Sequence, residues 1–384
     1  MAHDYDWIIV GGGLVGCSVA YGLAQQNPQA RILVLDGADV APRPSRGNFG
    51  LIWVQGKGAD FPAYANWSFH GAQLWPDFAH QLEQQTQVDL AYQCQGGLEF
   101  AFSDDELAAL SRDMQAVAEH TQGRFQYQVL DHAQACARQP GLGPDVAGAT
   151  FSAHDGQVNP LYLLAALQQA MQQLGVTYVG RTDVRQVQAL GEEQGQAVEV
   201  AKNGFRVTST TRSWQSQQVV LCAGLDNQRL GEQLAMHLPV SAVKGQILIT
   251  EPCPPVFKYA SPQVRQTAEG TLQIGGSHEH CGLDDASDID VMQKIASDAI
   301  SLFPQLSDTQ LVRSWGALRI MSPDGAPIYQ ASKQYPGAFG VVCHSGVSLA
   351  AAHAGPLASW LSGTLPDGQE SHWIQSFDSE RFHV

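Results

Sequence analysis

The apolar run Trp7-Ile8-Ile9-Val10 ends directly in Gly11, Gly13 and Gly16, spaced Gly-x-Gly-x-x-Gly, and few other patterns restrict a fold so tightly. Residues 14–26 continue as an apolar, alanine-containing helical pattern, with Asn27-Pro28 as its stop. A second buried-strand run, residues 31–35, then ends in Asp36, about 20 positions beyond Gly16. Each part has a mechanical reason. The first glycine makes a tight turn, the second lets the backbone approach a pyrophosphate, and the third lets the helix pack closely on the strand. The helix N-terminus, at Leu14 and Val15, faces the phosphates, and the acid accepts a hydrogen bond from a ribose hydroxyl. An ordinary glycine-rich turn lacks this surrounding order, so the stretch reads as a dinucleotide-binding unit. FAD and NAD share the fingerprint. Asp36 would repel the 2′-phosphate of NADP.

At 384 residues the chain is long enough for two domains, each with its own core. A net charge of −16 argues against nucleic acid or an anionic membrane surface as the main partner. It leaves an anionic substrate open, since one buried arginine can dominate a pocket. The seven cysteines stand singly, with no Cys-x-x-Cys pair, so no zinc or iron–sulfur ligand set and no disulfide framework is evident. They read as plain thiols of a reducing compartment. The first strand begins within six residues of Met1, and no apolar run reaches the roughly 18 residues of a spanning helix. The expectation is a cytoplasmic protein with neither signal peptide nor transmembrane segment.

Along the chain, the stretch from Ser45 through Arg46, Asn48, Gly50 and Leu51 to Trp53 mixes small polar residues with glycine. It suits contacts to a phosphate or a flat ring, and equally suits a surface loop. Residues 74–85 predict an amphipathic helix, residues 90–102 a strand with a Gly96-Gly97 turn, and Ser103 to Glu106 a capping box whose helix runs to about His120. Asn159-Pro160 opens a helix over residues 161–174, with Gly175 just past its end, and residues 176–179 form a strand. Residues 197–201 and 205–210 predict a hairpin through Asn203-Gly204. Residues 218–224 form a buried strand ending in Ala223-Gly224. Strands follow over residues 247–250 and 271–275, then a helix over residues 289–303. A strand and turn lead from Gly340 to His344, Ser345 and Gly346, and a helical pattern runs from Val347 and Ser348 to Leu361.

Five separated motifs together resemble one family, the FAD-dependent D-amino acid oxidase-like amine oxidoreductases. They are residues 11–16 with Asp36, residues 45–50, residues 156–160, the Trp-x-x-Leu-Arg…Pro-Asp-Gly-x-Pro pattern of residues 315–327, and residues 341–351. Gln55-Gly56-Lys57-Gly58 is most similar to the opine-oxidase and D-hydroxyproline-dehydrogenase side of that family. The resemblance implies an α/β fold: an FAD-binding Rossmann-like domain of the glutathione-reductase type, interleaved with an α+β substrate domain on an antiparallel sheet. The boundaries it implies are residues 1–88, 150–228 and 322–384 for the first, and 89–149 and 229–321 for the second. FAD would be contacted by Gly11, Gly13, Leu14, Val15, Gly16, Asp36, Ser45, Arg46, Asn48, Gly50, Leu51, Ala223, Gly224, Arg319, His344, Ser345, Gly346, Val347 and Ser348. The family's covalent-flavin cysteine would fall near Ile320, where no Cys stands, which implies a non-covalent cofactor. The family usually carries glycine at the position of Val347. Trp53, Gln55, Lys57 and Tyr259 match regions that line the site in relatives.

The residues point the same way. A helix opening after His344-Ser345-Gly346 would place its positive end under the flavin pyrimidine ring and favour reduction. Arg319 lies in an otherwise apolar stretch, where an unpaired guanidinium is costly and a bidentate carboxylate would satisfy it. An internal salt bridge, for example to Asp324, is the alternative. The expected reaction is oxidation of the C–N bond of a small amino or imino acid by hydride transfer to flavin N5. The resulting imine hydrolyses to an oxo acid or stays cyclic. The acceptor is oxygen in an oxidase, and a quinone or a partner protein in a homo- or hetero-oligomeric dehydrogenase. An NAD-dependent dehydrogenase and a non-catalytic flavoprotein remain as rival classes.

Overall fold

Residues 7–10 of strand Tyr5–Val10 are apolar without alternation because they lie inside a parallel sheet covered on both faces. A computed structural model describes residues 4–37, 44–191 and 204–382. In its largest sheet, of eight strands, the order is Ile328–Ala331, Ala338–Val342, Ser213–Leu221, Tyr5–Val10, Ile32–Leu35, Thr177–Val179. Ile328–Ala331 is antiparallel to its neighbour, and the other pairs along this path are parallel. Phe205–Ser209 extends the sheet beside Ser213–Leu221 and pairs on its other side with Val184–Ala189. The first strand of the hairpin expected from residues 197–201 and 205–210, and Asn203 of its turn, lie outside the described residues.

The helix Leu14–Gln26 is buried over nearly its whole circumference, as its apolar composition requires. It packs against Pro160–Gln173 and the helical stretch of residues 350–361. The Asn159 side chain caps the second of these helices by accepting from Leu161 N at 3.0 Å. Gly175 ends it in the left-handed region (φ 86°).

A four-stranded antiparallel sheet, ordered Val264–Gln266, Thr271–Gly275, Ser241–Pro252, Leu311–Met321, stands apart from the first. A three-stranded antiparallel sheet of Gly97–Ala101, Gly148–Ser152 and Gln128–Asp131 shares its apolar core, through Leu98, Phe100, Leu130, Leu248, Ile274 and Leu302.

Several elements differ from expectation. The helix expected at 74–85 spans Pro62–Thr86 and carries Pro76 inside it. A mid-helix proline forfeits one helical N–H bond. Here that loss is offset by burial of Trp67, Phe69, Trp75 and Leu82. Only Gly97–Ala101 of residues 90–102 is a strand. The Ser103 cap forms, but Glu106 accepts from Phe102 N at 2.7 Å rather than from the cap residue. The last pattern becomes helical only at Ala350, with a π turn at His353–Leu357.

Candidate active site

The glycine unit folds as its spacing requires. Gly11 has φ 111°, and a Cβ there or on Gly16 would overlap a backbone carbonyl oxygen, that of Cys222 or of Gly11. These two glycines shape the turn and line neither of the two cavities described below. Gly12 N donates to Asp36 Oδ1 at 3.1 Å, and the Tyr178 hydroxyl donates to Asp36 Oδ2 at 3.2 Å. Leu14 N donates to Ser45 Oγ at 2.9 Å, directly over Gly13, where a Cβ would sit 2.6 Å from that hydroxyl.

A cavity of about 400 Å³ runs from this turn along the C-terminal ends of the parallel strands. Gly13, Leu14, Val15, Asp36, Ser45, Arg46, Asn48, Ala223, Gly224, His344 and Gly346 line it. A helix N-terminus without a cap of its own, glycines open to the cavity and a buried acid beyond them fit the pyrophosphate and ribose of a dinucleotide. Gly50 lines neither this cavity nor the second one described below. Its φ is 84°, its N–H bonds to Asn48 Oδ1 at 2.7 Å, and a Cβ would overlap the Val158 carbonyl, so it serves the turn.

Tyr178, Gln168 and Asn227 also line this cavity and escaped the sequence reading. Asn227 is fully buried; it accepts from Ala223 N at 2.7 Å and donates to Val341 O at 3.1 Å, tying two strand ends together. No local pattern marks such a residue. Tyr178→Phe removes one hydrogen bond to Asp36 and is expected to weaken FAD binding about tenfold, read by titrating apoprotein with FAD.

A second cavity, about 500 Å³, meets the first along Asn48, Leu318, Ile320, Cys343 and His344, which line both. Leu51, Trp53, Lys57, Arg319, Ser345, Val347 and Ser348 line it. Val347 is buried and its backbone lies outside the left-handed region, so a valine side chain fits there without strain. Trp53 N donates to Ser348 Oγ at 3.0 Å. Lys57 Nζ donates to Ser345 Oγ at 3.0 Å, and the Tyr64 hydroxyl bonds the same oxygen at 2.9 Å.

Arg319 donates from Nη1 to Ser277 O at 2.7 Å and to Lys244 O at 3.4 Å. Gly245 and Gly276 leave room for its guanidinium, which a Cβ on either would crowd. No acidic side chain among the described residues forms a salt bridge with it. Asp324, the alternative partner, pairs instead with Arg381 at 2.8 Å. Burial pushes the Arg319 pKa down, yet a guanidinium stays cationic at neutral pH. His344 is pushed down to about 3, first by burial and then by Lys57, Arg319 and His278, so its imidazole is neutral. Tyr259 does not line either cavity: its ring packs edge-on against Phe151, centroids 5.4 Å apart, which corrects its expected place at the site.

This arrangement is that of a flavin-dependent oxidoreductase, and comparison with known proteins agrees. The chain belongs to the DAO family, described as FAD dependent oxidoreductase, whose match covers residues 6–360. It is 41% identical over 383 residues to an opine oxidase subunit of Agrobacterium tumefaciens (strain Ach5), covering 100% of this chain and 99% of that protein. It is 25% identical to hydrogen cyanide synthase subunit HcnC of Pseudomonas aeruginosa, over 96% of this chain and 92% of that one. The crystal structure of glycine oxidase from Geobacillus kaustophilus superposes with a TM-score of 0.84 at 21% identity, covering 95% of this chain and 96% of that one. The cofactor is FAD, and the NAD-dependent alternative falls away. Among the described residues no helix is long and apolar enough to cross a membrane.

Proposed function

We propose that the protein oxidises the C–N bond of a small amino or imino acid, with FAD held non-covalently by the residues lining the first cavity. FAD, when bound, supplies a hydride acceptor at N5. The observation that carries this reading is Arg319: a half-buried cation that forms no salt bridge with an acid among the described residues, in a cavity continuous with the dinucleotide groove. Its guanidinium would hold the substrate carboxylate in a charge-assisted pair and so fix the orientation of the α-carbon. The substrate amine needs no side-chain base, because entry into a low-dielectric cavity lowers its pKa and frees its lone pair. Neutral His344 adds no charge against it. Lys57, in the same cavity, offers a place for a second anionic group.

Two relatives are named as subunits, which favours a heteromeric enzyme that delivers electrons to a quinone or partner protein over a free-standing oxidase. A flavoprotein without catalysis is the outcome to be tested against. Titration of the FAD-loaded protein with a small carboxylate such as acetate or pyrrole-2-carboxylate is expected to perturb the flavin absorption bands saturably. A spectrum indifferent to every carboxylate would remove Arg319 from the site.

A further inference from the structure

Lys244 and Gln246 stand two positions apart on strand Ser241–Pro252, so their side chains share one face of the sheet. Both are almost wholly buried, where a polar head group is costly unless it is hydrogen-bonded. They reach residues 276–288, a mostly exposed segment that joins strand Thr271–Gly275 to helix Ile289–Leu302. Lys244 Nζ donates to Ala286 O at 2.9 Å and pairs with Asp284 and Glu279, each at 3.3 Å. Gln246 Nε2 donates to both carboxylate oxygens of Glu279, at 3.0 and 3.1 Å, and its Oε1 accepts from Asp288 N at 2.9 Å. Ser277 Oγ donates to the same carboxylate and accepts from Gln246 N at 2.9 Å. In the main chain, Lys244 N donates to Glu279 O at 2.9 Å, and Glu279 N donates to Lys244 O at 3.0 Å.

One carboxylate therefore gathers Lys244, Gln246 and Ser277, and two of these present the carbonyls that hold Arg319. Arg319 Nη1 donates to Ser277 O at 2.7 Å and to Lys244 O at 3.4 Å. No other nitrogen of the guanidinium has a hydrogen-bond partner among the described residues, so that edge is left for a ligand. Glu279 forms neither a hydrogen bond nor a salt bridge with Arg319 among the described residues. Its link to the guanidinium runs through Ser277 and Lys244.

We propose that Glu279 is a positioning residue: it fixes the Ser277 and Lys244 carbonyls, and through them the direction in which Arg319 meets a substrate carboxylate. This rests on reading the second cavity as the amino-acid site. A guanidinium free to rotate must be ordered at each binding event, which lowers affinity. Glu279 is also an anion one hydrogen-bonded residue away from Arg319. By charge alone, its removal would strengthen carboxylate binding. By positioning, its removal weakens it. The two effects have opposite signs.

The test measures the dissociation constant of acetate from the flavin spectrum of the holoenzyme at constant ionic strength. Glu279→Ala is expected to weaken acetate about five- to tenfold while FAD stays bound. Glu279→Gln, which keeps an acceptor for Ser277, is expected to recover part of that loss. In the Arg319→Met background, Glu279→Ala is expected to cause no further weakening, because no guanidinium remains to be placed. Ser277→Ala removes only a hydroxyl and is expected to weaken acetate about two- to fivefold, which keeps the test open should Glu279→Ala fold poorly. Acetate bound by Glu279→Ala or Ser277→Ala as tightly as by the wild type, or more tightly, would overturn the proposal. A loss of equal size in the Arg319→Met background would overturn it too. Acetate that never perturbs the wild-type flavin would instead overturn the reading of the cavity.

Discussion

Arg319→Met is expected to lower kcat/KM for the amino-acid substrate by about 10²–10⁴, while the protein still purifies yellow. A bidentate pair supplies two hydrogen bonds to charged groups, each contributing about 1.5–3 kcal/mol, and about 1.4 kcal/mol corresponds to a tenfold change. Methionine keeps the stem and removes only the head group. Arg319→Lys should recover part of the loss in KM, because a point charge replaces the planar fork. The side chain anchors to the Ser277 and Lys244 carbonyls, which other groups can leave to solvent, so the effect falls on substrate rather than on the fold. Steady-state kinetics with the FAD content measured alongside decides it. An unchanged KM in Arg319→Met would show that the carboxylate binds elsewhere.

Gly11→Ala and Gly16→Ala are expected to yield colourless protein with a sharply lowered Tm, or none in the soluble fraction. The new methyl group overlaps a main-chain carbonyl oxygen in both cases, and Gly11 is also at φ 111°. Backbone strain and overpacking together cost about 2–6 kcal/mol, a large part of what holds a domain together. Both glycines sit where the central strand turns into its helix, so relief would require that junction to shift. Flavin absorbance per chain and thermal unfolding report the two consequences separately. A yellow variant with wild-type Tm would mean that the turn tolerates a side chain.

The parts of this site that can be read from the chain alone are those whose partners lie close in sequence or whose chemistry is out of place. Gly11, Gly13, Gly16 and Asp36 belong to one strand–helix–strand unit, and all four take the positions that unit demands. Arg319 stands out as a cation in an apolar stretch. Thr150 and Asp155 stay hidden, because only side-chain hydrogen bonds across about 100 positions tie them to Gln55. Tyr178 is placed beside Asp36 by strand order, which pairs Thr177–Val179 with Ile32–Leu35. The early part of helix Pro62–Thr86 is obscured by its aromatic residues, and packing against residues 350–352, Pro160–Gln173, Asp104–His120 and Gln369–Ser376 explains it. Tyr259 shows the opposite failure: it lies in a segment near the site, yet its ring turns to Phe151.

The most direct test of the account is the visible spectrum of the purified protein under nitrogen, before and after small amino acids are added. Glycine, sarcosine, D-alanine, D- and L-proline, hydroxyproline and an opine form the panel. The account requires a flavin band that at least one of these bleaches, with recovery in air marking an oxidase and recovery only with a quinone or partner protein marking a dehydrogenase. A bound flavin that no amine reduces, with or without a partner protein, would contradict it.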